Sequence, residues 1–138
     1  MKFSYQYFEG QKLPIVPLKI KGTSGWLEFN VYIDTGASYS LFPADAAEII
    51  GLELEKGDLT EMTVGDGNHI QVYIHNLPLS LAGKEFIARI GFSKGLGVGF
   101  YIMGRKDIFD KFIVCLYYFT ILKRFNYILQ HRNLYELV

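Results

Sequence analysis

Val31-Tyr32-Ile33-Asp34-Thr35-Gly36-Ala37-Ser38 carries an acid at the mouth of an apolar strand, followed at once by a hydroxyl residue and a glycine. Working back from Asp34, the apolar positions Leu27, Phe29, Val31 and Ile33 recur at every second residue. Before the turn residues Gly22-Thr23-Ser24-Gly25, Val16, Leu18 and Ile20 alternate in the same way with Pro17, Lys19 and Lys21. Side chains two apart share one face of a strand, so the two segments form a hairpin that ends at Asp34. Asp and Gly are both common turn formers, and taken alone Asp34-Thr35-Gly36 is described better as a turn after a strand.

Working forward, Leu41-Phe42-Pro43 leads into Pro43-Ala44-Asp45-Ala46-Ala47-Glu48-Ile49-Ile50, a helix with proline near its start and Gly51 as its terminator. Thr60 to Val64, the turn Gly65-Asp66-Gly67-Asn68 and the alternating Ile70, Val72 and Ile74 make a second hairpin. The Asp-Gly pair predicts a two-residue turn there, because glycine accepts positive φ. Leu77, Leu79 and Leu81 turn at Ala82-Gly83-Lys84 into Phe86, Ala88 and Ile90 as a third hairpin, and a second short helix is expected over Lys106 to Phe112. Abundant aromatic and β-branched residues, with turn residues every ten or so positions, favour an all-β barrel or sandwich. No internal repeat, low-complexity tract or interdomain linker interrupts the chain.

With 138 residues, half of them apolar, the chain fits one domain over residues 1–138, with no room for a second catalytic one. Fourteen basic and fourteen acidic residues cancel. That balance lacks the basic footprint of a nucleic-acid binder and gives no basis for electrostatic attachment to a membrane. The longest greasy stretch, Phe112 to Leu122, is eleven residues, short of the roughly 20 that a transmembrane helix needs. The first residues, Met1 to Gln6, alternate apolar with polar and lack the continuous apolar run of a secretory signal. Cys115, the only cysteine, cannot form an intramolecular disulfide, and a reducing cytoplasm is the expected location.

Some seventy residues after Asp34 comes Phe100-Tyr101-Ile102-Met103-Gly104-Arg105, an apolar strand closed by glycine. With both segments in view the chain resembles the retropepsin family. Subunits of that family pair a strand ending in Asp-Thr-Gly-Ala with a later apolar-apolar-Gly-Arg segment followed by a helix. The resemblance runs from about Val16 to Leu122 and includes the order of the parts. It implies a closed-barrel-like acid protease fold, all-β with one or two short helices, working as a homodimer on peptide or protein substrates without a cofactor or metal. It assigns Asp34, Thr35 and Gly36 to catalysis and Ala37 to substrate binding, and it makes Gly65, Asp66 and Gly67 the tip of a flap over bound peptide. Three positions depart from the retroviral pattern. Ser38 replaces an aspartate that would pair with Arg105, Lys106 stands where Asp or Asn is usual, and the residues from Lys123 to Val138 extend past the expected helix without aligning to the family pattern.

The chemistry follows from pairing two Asp34 loops across a two-fold axis. Two carboxylates within hydrogen-bonding distance of one water cannot both ionise, so such a pair shares a proton. One then serves as base toward the water and the other as acid toward the scissile carbonyl. Gly36 lets the backbone turn tightly, and Thr35 can bond across the axis. A second function class is a catalytically silent dimerisation or peptide-binding module on the same fold, although such a module has no need of a buried acid pair, whose desolvation costs stability. Other chemistries fare worse. Gly95-Leu96-Gly97-Val98-Gly99-Phe100 has Phe100 where a dinucleotide loop needs its third glycine, and reads as a mobile loop. His69, His75, His131 and Cys115 lack the spacing of a zinc site, and no Gly-x-Ser-x-Gly occurs.

Overall fold

The structure, a computed structural model, describes residues 1–118 and 125–131. Short N-terminal strands β1 (Lys2–Ser4), β2 (Gln6–Phe8) and β3 (Gln11–Leu13) precede the long hairpin of β4 (Ile15–Gly22) and β5 (Gly25–Ile33). Its register, Val16↔Val31, Leu18↔Phe29 and Ile20↔Leu27, puts the alternating apolar residues on one inward face. Val16, Leu18, Ile20 and Val31 are fully buried. Removing one such side chain costs about 2–5 kcal/mol through lost transfer energy and the cavity left behind.

After the Asp34 loop, β6 (Ser40–Pro43) enters helix α1 (Ala44–Ile50), which buries Ala46, Ala47 and Ile50 and stops at Gly51 with φ 83°. The second hairpin consists of β7 (Asp58–Thr63) and β8 (His69–Leu81), followed by β9 (Lys84–Ser93), β10 (Tyr101–Met103), β11 (Phe112–Tyr118) and β12 (Phe125–His131). Strands β4, β5, β10, β6, β9 and β8 form a sheet in that order, and it closes on itself where Ile20 of β4 pairs with Leu79 of β8. The result is a six-stranded closed barrel with β7 as a free-standing partner of β8.

Strand β8 shows how one segment serves two cores. Its buried residues are even-numbered at Ile70 and Val72 and odd-numbered at Leu77, Leu79 and Leu81. Ile70 and Val72 pack with Leu41 in a small cluster beneath the hairpin, while the later leucines fill the barrel. Opposite faces of a single pleated strand are therefore used in succession.

Two sequence expectations change. The helix expected over Lys106 to Phe112 is absent: residues 106–110 make irregular turns, and Phe112 already pairs with His131 in β11–β12. Asp107 sits at φ 64°, outside helical space, with its carboxylate bound to the Arg89 backbone N–H (3.1 Å), Nε (2.6 Å) and Nη2 (2.7 Å). That side chain takes the backbone out of the helix. The Asp-Gly turn is a three-residue loop, Gly65–Gly67, in which the Gly67 N–H donates to the Val64 carbonyl and only Gly67 takes positive φ, 86°. Within the C-terminal segment left unaligned from sequence, Phe125–His131 form β12, which lies between β1 and β11. The C-terminal limit of the resemblance, Leu122, falls outside the described residues.

Candidate active site

Asp34 follows the last residue of β5, where the parallel pairing of β10 (Met103↔Ile33) brings the Met103 carbonyl within 3.0 Å of the Asp34 N–H. The loop then folds back on its own side chain. Oδ1 accepts from the N–H of Gly36 (2.9 Å) and of Ala37 (3.3 Å), whereas Oδ2 has no partner among the described residues. Asp34 is thus oriented by backbone amides and half-buried, with one oxygen left for other chemistry.

A second strand-loop clamps this turn. The Arg105 N–H donates to the Ala37 carbonyl (3.0 Å), the Lys106 N–H to the Ser38 carbonyl (2.8 Å) and the Gly104 N–H to Ser40 Oγ (3.0 Å). Gly104 lies so close that a Cβ there would overlap the Tyr39 backbone. The seventy residues between the two motifs place them in direct contact. Arg105, deprived of an acidic partner by Ser38, donates from Nη2 to the Ser38 hydroxyl itself at 3.3 Å.

Above the loop lies a cleft of about 900 Å³. Asp34, Gly36 and Ala37 line it together with Gly65 and Asp66 of the β7–β8 hairpin, so five of the residues singled out from the sequence meet there. Gly67 is not among its lining residues. Thr35 is exposed on another side, where it lines a second, open groove with Arg105, Phe109, Phe112, Val114 and Leu116. The cleft's apolar walls, which include Tyr32, Leu41, Met62 and Ile102, were not foreseen from local pattern, because they come from separate strands. The glycine-rich loop, read as a mobile connection, contributes Leu96, Val98 and Phe100. Phe100 is braced by edge-on contacts with Tyr32 (5.2 Å) and with Phe8 of β2 (5.7 Å).

Among the described residues the cleft offers no second free acid. Asp66 is its one other carboxylate, and its oxygens accept from the Asn68 backbone N–H and side-chain amide, both at 2.9 Å. Those hydrogen bonds hold the Asp66 carboxyl below the usual carboxylate range, so it stays ionised and serves poorly as a proton donor.

The family described as Aspartyl protease matches residues 16–87, just over half of the chain, including the Asp34 loop and the hairpin. The chain belongs to that family. Three solved structures share its fold. A retropepsin-like aspartic protease from Rickettsia conorii is 15% identical with a TM-score of 0.63, over 93% of this chain and 98% of that one. The retroviral protease-like domain of Ddi1 from Leishmania major is 17% identical with a TM-score of 0.57, over 88% and 96%. EIAV protease, complexed with the inhibitor HBY-793, is 20% identical with a TM-score of 0.52, over 72% and 88%. At these identities the likeness establishes the retropepsin-like fold. No curated protein matches the sequence.

Proposed function

We propose that the protein is an aspartic endopeptidase that works as a homodimer, each subunit contributing Asp34 to a carboxylate pair that activates water against a peptide bond. The observation that carries this reading is the state of Asp34: one oxygen held by two backbone amides, the other unpartnered, at a cleft under a hairpin. One chain has one such acid, and Asp66 is committed to Asn68, so a second copy must supply the other carboxylate. The open groove beside Thr35, with Phe109, Val114 and Leu116, is a suitable face for that copy. Thr35 then bonds across the axis, Ala37 contacts the substrate, and the Gly65–Gly67 tip closes over it. A reducing, cytoplasmic setting suits the free thiol of Cys115.

The test is digestion of an unstructured protein by wild type and Asp34→Asn, with and without a statine-type transition-state mimic. Asparagine keeps the oxygen that Gly36 and Ala37 donate to, so the variant folds but cannot act as the base. Hydrolysis should vanish in the variant and be inhibited in the wild type. Full activity in a folded Asp34→Asn protein would reduce Asp34 to a turn residue. A wild type that binds peptide without turnover would favour the silent module.

A further inference from the structure

We infer that the Ser38–Tyr39 end of the cleft is an electropositive subsite that selects an aspartate or glutamate side chain of the bound peptide. This rests on the peptide-cleaving reading above and adds a substrate preference to it. Ser38 and Tyr39 both line the cleft. Behind them stand three cations. Arg105 Nη2 reaches Ser38 Oγ, Lys106 Nζ donates to the Tyr39 hydroxyl at 2.6 Å, and Arg89 is held by Asp107. Three positive charges against one carboxylate leave a local excess of two.

Arg89 is neutralised by its bidentate partner. Arg105 and Lys106 are exposed in the single chain, Arg105 bordering the groove proposed as the dimer face, and among the described residues neither has a carboxylate within 4.0 Å, which makes Lys106 the cation that remains open beside the cleft. Lys106 also lies 4.5 Å from the centre of the Tyr39 ring, which holds its ammonium beside the cleft wall. Because the Tyr39 oxygen accepts from Lys106, its own proton is free to be donated. Lys106 does not itself line the cleft; a carboxylate arriving there meets the Tyr39 O–H, polarised by the ammonium on its oxygen, and the positive charge directly behind it, the setting of a charge-assisted hydrogen bond. The rest of the cleft opposes an acid elsewhere: its other charged lining residues are Asp34 and Asp66, and most of the remainder is apolar. Repulsion at the centre and attraction at one end together fix where an acidic residue sits, and hence the register of the peptide.

Exposed ion pairs contribute modestly, so the preference for glutamate over the neutral isostere glutamine should be roughly twofold to fivefold in kcat/KM. It should fade in about 1 M salt, where the Debye length falls to about 3 Å. The experiment uses peptides with a constant apolar centre and Glu, Gln or Lys at each position two to four residues from the scissile bond. Each is measured with wild type and Lys106→Gln at low and high salt. The expected result is a Glu preference at one position that drops toward unity in Lys106→Gln and in high salt. Equal rates for Glu and Gln at every position, or a preference untouched by both changes, would overturn the subsite. Should Lys106→Gln not fold, the salt dependence of the wild type decides alone. If no peptide is cleaved, the proteolytic reading fails separately, and fluorescence anisotropy of the same labelled peptides still tests the subsite. Tighter, salt-sensitive binding of the Glu peptide supports it, and equal or undetectable binding refutes it.

Discussion

Gly104→Ala tests whether the second strand-loop holds the Asp34 turn in place. The new Cβ would overlap the Tyr39 carbonyl group and come within 3.0 Å of the Ala37 carbonyl oxygen. Those atoms are backbone, so relief requires one loop to withdraw from the other. Withdrawal weakens three hydrogen bonds, from Gly104, Arg105 and Lys106 to Ser40, Ala37 and Ser38. At about 1 kcal/mol each their loss totals about 3 kcal/mol, within the range of large single-site effects. For a chain of this size that is a fall in melting temperature of roughly 10 °C. Gly97→Ala is the matched control, since nothing lies within 4 Å of a Cβ there and its φ is not in the left-handed region. Urea unfolding followed by fluorescence, at one fixed protein concentration because the proposed dimer would contribute to stability, gives the comparison. Hydrolysis should fall in parallel, because the Asp34 carboxylate moves with its loop. A Gly104→Ala protein within about 0.5 kcal/mol of both wild type and Gly97→Ala would refute the clamp, since that is the scatter of an ordinary surface change.

The proposed dimer face is tested at Leu116, which is 45% exposed in the single chain. Burying that remainder contributes about 1 kcal/mol per copy, so Leu116→Lys should weaken the symmetric pair roughly thirtyfold by analytical ultracentrifugation, with activity recovered at high concentration. An unchanged dissociation constant would place the interface elsewhere. The Arg89 hydrogen bonds hold the Asp107 carboxyl below its usual range, so its contribution to stability is present above about pH 4 and lost as pH falls through the lowered value. Asp107→Asn should therefore lower the urea midpoint at pH 7 and converge with wild type in strong acid. Parallel curves at all pH values would show that the pair does not contribute. Asp34→Asn should leave the urea midpoint level or higher while removing hydrolysis, and a large loss of stability would make the carboxylate a structural group.

What the sequence determined by itself was local. Period-two alternation identified β4, β5 and the barrel half of β8, and Pro43 and Gly51 bracketed α1, because side-chain direction and backbone freedom are properties of a few consecutive residues. The Asp34 turn and the Gly104-Arg105 segment stood out for the same reason. Which strands become neighbours depends instead on contacts between residues far apart in the chain. Closure of the barrel through Ile20 and Leu79 joins residues 59 positions apart, and the insertion of β10 beside β5 joins segments seventy apart. No local pattern specifies either pairing. The tertiary structure also overrode local preference at Asp107, where three hydrogen bonds to Arg89 outweigh one more helical turn. Likewise it gave Arg105 a hydroxyl partner and, among the described residues, gave Lys106 a phenol and no acid, since charge pairing depends on what distant strands bring within a few ångströms.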